Sequence, residues 1–190
     1  EWIWVDEDDL DNEARYLPKD KHPSKAMVWA AISYWGRSSL HVYPPSTKAD
    51  SVEYQYCMEQ ALLPAIDDPE YLFPGGKPKQ WLYMQDGAPC HTSKKTKEWL
   101  EKNLLSRKCS LNDNGKWPAG SPDMNPIENL WNFFNNAVVQ HNPKGVEEFR
   151  DLLVDVWWNE VPQSYIQKLY TSMPRRMVAV VEAGGVMTKY

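Results

Sequence analysis

Short apolar runs separated by polar segments predict β-strands along the first half of the chain. Residues 2–5, 26–33 and 81–84 suit buried strands, and 39–43 alternates apolar with polar positions before Pro44. A weaker strand is predicted near 108–111. The order of the first three strands favours antiparallel pairing.

Two helices are predicted among these strands. Apolar residues recur along 48–66 in a pattern that suits an amphipathic helix, with Val52, Tyr56, Met58, Leu62 and Leu63 on its core face. Residues 92–105 form the second, with Thr92 or Ser93 as the N-cap.

Helical patterns fill the last third of the chain. The clearest apolar stripe is formed by Ile127, Leu130, Trp131, Phe134 and Val138. Further stripes predict helices over 146–157 and after Pro162, and a short last helix over 177–181. Strands followed by helices indicate an α/β or α+β fold with helices packed on a mixed sheet.

Length and composition bound the class of protein. The 190 residues suit one domain, 1–190, and no run approaches the ~18 apolar residues of a membrane span. Three cysteines without Cys-x-x-Cys spacing favour a reducing compartment over a disulfide framework. The net charge of -5 argues against a nucleic-acid partner, but lysines and arginines gather between residues 94 and 116, so total charge leaves the partner undecided.

Three acids stand at the ends of predicted elements. Asp6 and Asp86 each follow a core strand, and Glu128 opens the helix that begins near Ile127. If the two strands are neighbours, the three carboxylates converge and repel one another unless cations neutralise them. Oxygen ligands favour Mg²⁺ or Mn²⁺, and a pair of such ions supports phosphoryl transfer. Each acid alone also suits a turn or a helix-capping position.

Two long motifs carry a resemblance to a known family. The segments Gln85-Asp-Gly-Ala-Pro-Cys-His-Thr92 and Ser121-Pro-Asp-Met-Asn-Pro-Ile-Glu-Asn-Leu-Trp131 resemble the second and third acidic motifs of mariner-superfamily transposases. Val5-Asp-Glu7 resembles the first motif, and Ser172-Met-Pro-Arg-Arg176 resembles part of the C-terminal helices. These similarities follow the family's order along nearly the whole chain.

The resemblance implies an RNase H-like α/β fold with a central mixed five-stranded sheet and helices on both faces. Asp6, Asp86 and Glu128 match the catalytic triad, which holds two Mg²⁺ or Mn²⁺ ions. His91, Asp123 and Asn125 match positions near that site. The implied chemistry is metal-dependent cleavage at transposon ends, followed by attack of the freed 3′-hydroxyl on target DNA.

The partners implied by the resemblance are double-stranded DNA, both transposon ends and target, in the nucleus. Lys94, Lys95 and Arg107 are the expected phosphate contacts. Helix-turn-helix domains, which precede the catalytic domain in the family, are absent from these 190 residues. The resemblance leaves open whether the protein forms a homodimer. In the family a longer segment at this place helps to pair two subunits, whereas only 19 residues separate Glu7 from Met27 here.

Two other functions remain open from the sequence. One is a domesticated transposase-derived module that binds DNA or protein without transposition, which the acidic composition and ten tryptophans favour. The other is a stand-alone nuclease of the same fold.

Overall fold

The computed structural model describes residues 25–107, 109–111, 121–141, 143 and 145–190. Asp6, the predicted strand over 2–5 and all of residues 112–120 therefore lie outside the described residues. Within the described residues, no helix is both long and apolar enough to cross a bilayer.

The described strands form two pairs. Strands β1 (Val28–Trp29) and β2 (His41–Val42) are antiparallel, with Val28 opposite Val42. Strands β3 (Trp81–Tyr83) and β4 (Cys109–Leu111) are parallel, with Trp81 opposite Cys109. The antiparallel pairing expected for the strands within 26–33 and 39–43 is confirmed, as is the weak strand near 108–111, although each strand is shorter than its apolar run. The pairs are mixed in direction, and the strand count of five is untested because the remaining predicted strand is not described.

Helices make up most of the remaining described chain. They are α1 (Ser51–Cys57), α2 (Leu63–Asp67), α3 (Pro89–Thr92), α4 (Lys94–Leu104), α5 (Pro126–Gln140), α6 (Val146–Asn159) and α7 (Gln163–Glu182). A π-helical segment, Met58–Leu62, joins α1 to α2, and 3₁₀ turns cover Leu105–Arg107 and Pro122–Met124. The prediction of a separate helix over 177–181 is wrong, because α7 continues through Pro174 to Glu182.

The predicted core face of the helix over 48–66 needs correction. Val52 and Tyr56 are 61% and 52% exposed, whereas Tyr54, Cys57 and Met58 are buried. Positions 54, 57 and 58 follow the i, i+3, i+4 spacing of one helix face, which turns 52 and 56 towards solvent.

Strand β1 separates two hydrophobic clusters. Val28, Ala30 and Ile32 belong to or pack against a first cluster built with α5, α6 and α7. Trp29 and Ala31 pack against a second cluster built from α1, α2, β3 and α4. Since successive strand residues point to opposite faces, helices cover both faces of this strand, as the resemblance implied.

Candidate active site

Asp86 lies three residues beyond the end of β3, at the start of a turn. Its Oδ1 accepts a hydrogen bond from the backbone N–H of Ala88 at 3.1 Å and lies 2.5 Å from Nδ1 of His91. Pro89 then begins α3, where its fixed φ and missing N–H suit a first helical position. The turn therefore presents a half-exposed carboxylate at the end of a core strand.

His91 is held from two sides. Its ring packs against that of Tyr54 with centroids 4.2 Å apart, and its backbone oxygen accepts a hydrogen bond from Nε2 of Gln85. The Tyr54 hydroxyl donates to Oε1 of the same Gln85 at 2.8 Å. Helix α1 thus supports the loop that carries Asp86.

Glu128 lies in the first turn of α5 and is half-buried. Its backbone N–H donates to the carbonyl oxygen of Asn125, the N-cap residue, at 3.1 Å. Burial raises the pKa of the Glu128 carboxyl, and the negative charge of Asp86 raises it further. Both effects disfavour the ionised form of Glu128.

One cavity of about 610 Å³ joins these groups. Its wall includes Asp86, His91, Asn125 and Glu128, so residues from β3, α3 and α5 meet there. Within the described part of the chain, no group of three His, Cys, Asp or Glu residues could hold a metal ion. That part contributes two carboxylates to the cavity, and Asp6 lies outside it.

The other expected site residues, Asp123, Lys94, Lys95 and Arg107, are not part of the cavity wall. Asp123 is buried, and its carboxylate is bound by Thr188. Lys94 and Lys95 are exposed in the first turn of α4, just after the helix that carries His91. Arg107 is engaged elsewhere: its Nη2 lies 2.7 Å from Oδ2 of Asp67, and its Nε contacts both oxygens of that carboxylate.

Two contributors to the site were not singled out by the sequence reasoning. Gln85 stands beside Asp86 in a motif, so its position was a usable signal. Tyr54 lies 32 residues upstream of Asp86 in a helix whose only visible pattern was apolar periodicity. Only the tertiary packing of α1 on α3 reveals its role.

Comparison with known protein families finds one family whose matched region contains Asp86 and Glu128. A family model described as DDE superfamily endonuclease matches residues 7–150, most of the chain. This chain belongs to that family. The matched range includes both carboxylates of the cavity, so the site described above lies within the family's own region.

Relatives of this DDE superfamily member are transposases. The Tcb2 transposase of Caenorhabditis briggsae is 33% identical over 160 residues, which are 84% of this chain and 55% of that protein. The Tc1 transposase of Caenorhabditis elegans is 29% identical over 182 residues, 93% of this chain and 61% of that protein. The chain therefore spans little more than half the length of these curated relatives.

The fold is also shared with a solved structure. The catalytic domain of Mos1 mariner transposase superposes with a TM-score of 0.71 at 19% identity, covering 88% of this chain and 78% of that one. The DDE superfamily member therefore has the RNase H-like fold of that catalytic domain, as the resemblance implied.

Proposed function

We propose that this chain is the catalytic domain of a Tc1/mariner-type transposase, which cleaves DNA at transposon ends and transfers the new 3′ end to target DNA. The observation that supports this most is the meeting of Asp86 and Glu128 in one cavity, although they lie 42 positions apart in sequence. Because the chain belongs to the DDE superfamily of endonucleases, the reaction that we propose for these two carboxylates is cleavage of a phosphodiester bond.

The third acid in this proposal is Asp6. Asp6 lies outside the described residues, and it is included because Val5-Asp-Glu7 matches the first acidic motif of the family. A third carboxylate would complete the set of oxygen ligands that Asp86 and Glu128 begin.

The donor set fits divalent metal ions. Asp86 and Glu128 offer carboxylate oxygens, the ligands that Mg²⁺ and Mn²⁺ prefer. Burial first and the charge of Asp86 second raise the pKa of Glu128, and a bound cation would offset both effects. We assign Asp6, Asp86 and Glu128 to two Mg²⁺ or Mn²⁺ ions, and structures of the Mos1 catalytic domain have been determined with each metal. Ions held by these carboxylates would supply activation of the attacking oxygen and charge stabilisation of the leaving oxygen. Asn125 and His91 then act by holding the two acids in position.

Double-stranded DNA is the proposed partner, and the nucleus the proposed location. A Mos1 structure contains the left transposon end, and Lys94 and Lys95 offer exposed cations close to the helix that bears His91. Arg107 stays a proposed phosphate contact, and its guanidinium also pairs with Asp67. A homodimer remains part of the proposal for the full-length protein.

The decisive experiment measures metal-dependent cleavage of terminal-repeat DNA by the full-length protein. Loss of a group that only supports a metal ligand costs about 10–100-fold, so Asp86→Ala and Glu128→Gln should each cost at least about 100-fold. Glu101→Gln, at an exposed acid on α4, is the matched control and should retain full activity. Wild-type rates in the Glu128→Gln variant would rule out the assigned site.

A second function is favoured by exposed aromatic surface. Trp35 and Trp158 are 49% and 40% exposed, as a domesticated protein-binding module would require. Calorimetric titration with Mn²⁺ separates the two functions. Two-site binding that Asp86→Ala abolishes supports the enzyme, whereas absent Mn²⁺ binding together with a tight protein partner supports the module.

A further inference from the structure

A buried arginine links the last helix to the segment that carries Glu128. Arg176 on α7 is 3% exposed. Its Nη1 donates to the backbone oxygen of Asp123 at 2.8 Å and to Oδ1 of Asn129, and its Nε donates to Oγ of Ser172. The first two contacts lie on either side of Glu128 in the sequence.

Residues beyond α7 close over the same segment. The Asp123 carboxylate is 2% exposed, and its Oδ2 accepts hydrogen bonds from the backbone N–H and the hydroxyl of Thr188, both at 2.8 Å. The ring of Tyr190 packs over the guanidinium of Arg176, with 5.6 Å from Cζ to the ring centroid. The turn before α5 is therefore held by α7 from one side and by Thr188 from another.

This arrangement is costly if its only purpose is stability. Burial lowers the pKa of Arg176, which means that the charged guanidinium loses hydration on folding. Arg176 binds the backbone oxygen of Asp123, while the carboxylate is bound by Thr188. Well-packed apolar side chains often stabilise a protein as much as buried charges do. The directional hydrogen bonds of Arg176 therefore indicate that the position of the segment it binds matters, and not stability alone.

Helix α5 needs such an external constraint at its start. Its N-cap residue, Asn125, makes no side-chain capping hydrogen bond, so the first turn is not fixed by the usual local device. Arg176 supplies the constraint by binding the turn before the helix and a side chain within its first turn.

We propose that Arg176, Asp123 and Thr188 are positioning residues for Glu128. They fix where α5 begins and how its first turn is rotated, and so set the place of the Glu128 carboxylate relative to Asp86. This inference rests on the proposed function, since it takes Glu128 to be a metal ligand. We refer to the three residues as the α5 clamp.

The test compares clamp variants of the full-length protein for Mn²⁺ affinity by calorimetry. Arg176→Met and Thr188→Val should each weaken Mn²⁺ binding about 10-fold, as outer-shell changes at metal sites do. Arg176→Lys keeps one donor and should fall between wild type and Arg176→Met. Cleavage assays should show a lower kcat with little change in the KM for DNA, because the clamp does not contact the substrate in this proposal.

A second readout needs neither metal nor activity. In the metal-free protein, amide hydrogen exchange in residues 126–131 should be faster in both clamp variants than in wild type. Arg175→Met is the matched control, because Arg175 is exposed on α7 and contacts the Tyr190 ring, not the turn before α5. It should leave Mn²⁺ affinity and exchange unchanged.

The outcomes separate this inference from the proposed function. Clamp variants that lower unfolding stability but keep Mn²⁺ affinity within twofold, and keep normal exchange in α5, would overturn the positioning role. If Arg176→Met does not fold, Thr188→Val still decides the question, because its backbone donor and overall shape are kept. Wild-type protein that binds no Mn²⁺, or Glu128→Gln that binds it normally, would instead refute the metal assignment, and the exchange comparison would still test the clamp.

Discussion

At the scale of single residues, Tyr54 is the side chain on which the Asp86 loop depends most. It packs against the His91 ring, and its hydroxyl donates to Gln85 and lies 3.0 Å from the Tyr83 hydroxyl. Because Gln85 also donates to the backbone of His91, one buried phenol supports both ends of the turn. The ring and the hydroxyl can be separated by mutation.

Replacing Tyr54 with Phe keeps the ring contact and removes the hydroxyl. Oε1 of Gln85 then loses its donor in a partly buried setting, which should lower the free energy of unfolding by about 1–3 kcal/mol. Urea denaturation of the variant and wild type measures this difference. Tyr56→Phe is the matched control, because Tyr56 is half-exposed on the opposite face of the helix, and its effect should stay within about 0.5 kcal/mol. Equal effects of the two substitutions would contradict the role given to Tyr54.

The sequence motifs anticipated the residues that are local to one another. Asp86 and His91 stand five positions apart around a proline turn, and Glu128 follows Asn125 at a helix start, so short-range chemistry made them visible. Tyr54 lies on a distant helix and reaches the site only through tertiary packing. Arg176 belongs to the motif Ser172-Met-Pro-Arg-Arg176, but that motif does not indicate which residues the arginine contacts. A single sequence holds no periodic or spacing signal for such contacts.

At the scale of elements, Asp67 and Arg107 join two helical segments of the second cluster. Asp67 ends α2, and Arg107 lies in the 3₁₀ turn that follows α4, 40 positions later. The Arg107 guanidinium contacts both oxygens of the carboxylate and also donates to the backbone oxygen of Asn103. The pair therefore ties the end of α2 to the end of α4.

This pair should make stability depend on pH in the acid range. Hydrogen bonding to Arg107 lowers the pKa of Asp67 below its ordinary value of 3.8 in the folded protein. The unfolded chain then binds more protons, so the stabilisation is present above pH 3.8 and is lost as pH falls through the lower, folded pKa. The pair is partly exposed, so we expect no more than about 1 kcal/mol.

Unfolding stability measured from pH 7 down to pH 2 checks this. Arg107→Met should lose the contribution at neutral pH and show a shallower fall in acid. Lys102→Met, which removes an exposed cation from α4, should keep the wild-type slope. The same slope in both variants would mean that Asp67 gains nothing from Arg107.

Periodicity predicted the helices better than it predicted their faces. The stripe of α5 has Leu130, Phe134 and Val138 buried, as expected. In α1 the choice of Val52 and Tyr56 was wrong because aromatic and β-branched residues occupy both faces, so the pattern was ambiguous. A separate last helix was predicted over 177–181, yet α7 continues through Pro174, with Leu169 in the first cluster on one side of the proline and Arg176 at the clamp on the other.

At the scale of the whole molecule, the net charge of the chain has the same sign as that of DNA, the proposed partner. The chain carries -5, yet DNA binding requires cations along the path of the phosphates. The cations proposed for this role are Lys94 and Lys95, which stand in the first turn of α4 directly after α3. Acids elsewhere on a surface are screened beyond about 10 Å at 0.1 M salt, so the local cations decide the contact.

The salt dependence of DNA binding tests this local contact. If Lys94 and Lys95 each neutralise one phosphate, the double substitution Lys94→Ala/Lys95→Ala should reduce the slope of log K against log salt by about 1.8, because each contact contributes about 0.9. Titration of terminal-repeat DNA by fluorescence anisotropy at several salt concentrations measures the slope. Lys168→Ala removes an exposed cation from α7 and should leave the slope unchanged if DNA passes over α4. A smaller slope in the Lys168→Ala variant alone would show that DNA contacts α7 and not α4. An unchanged slope in the Lys168→Ala variant and in the double variant would show that neither helix contacts the phosphates.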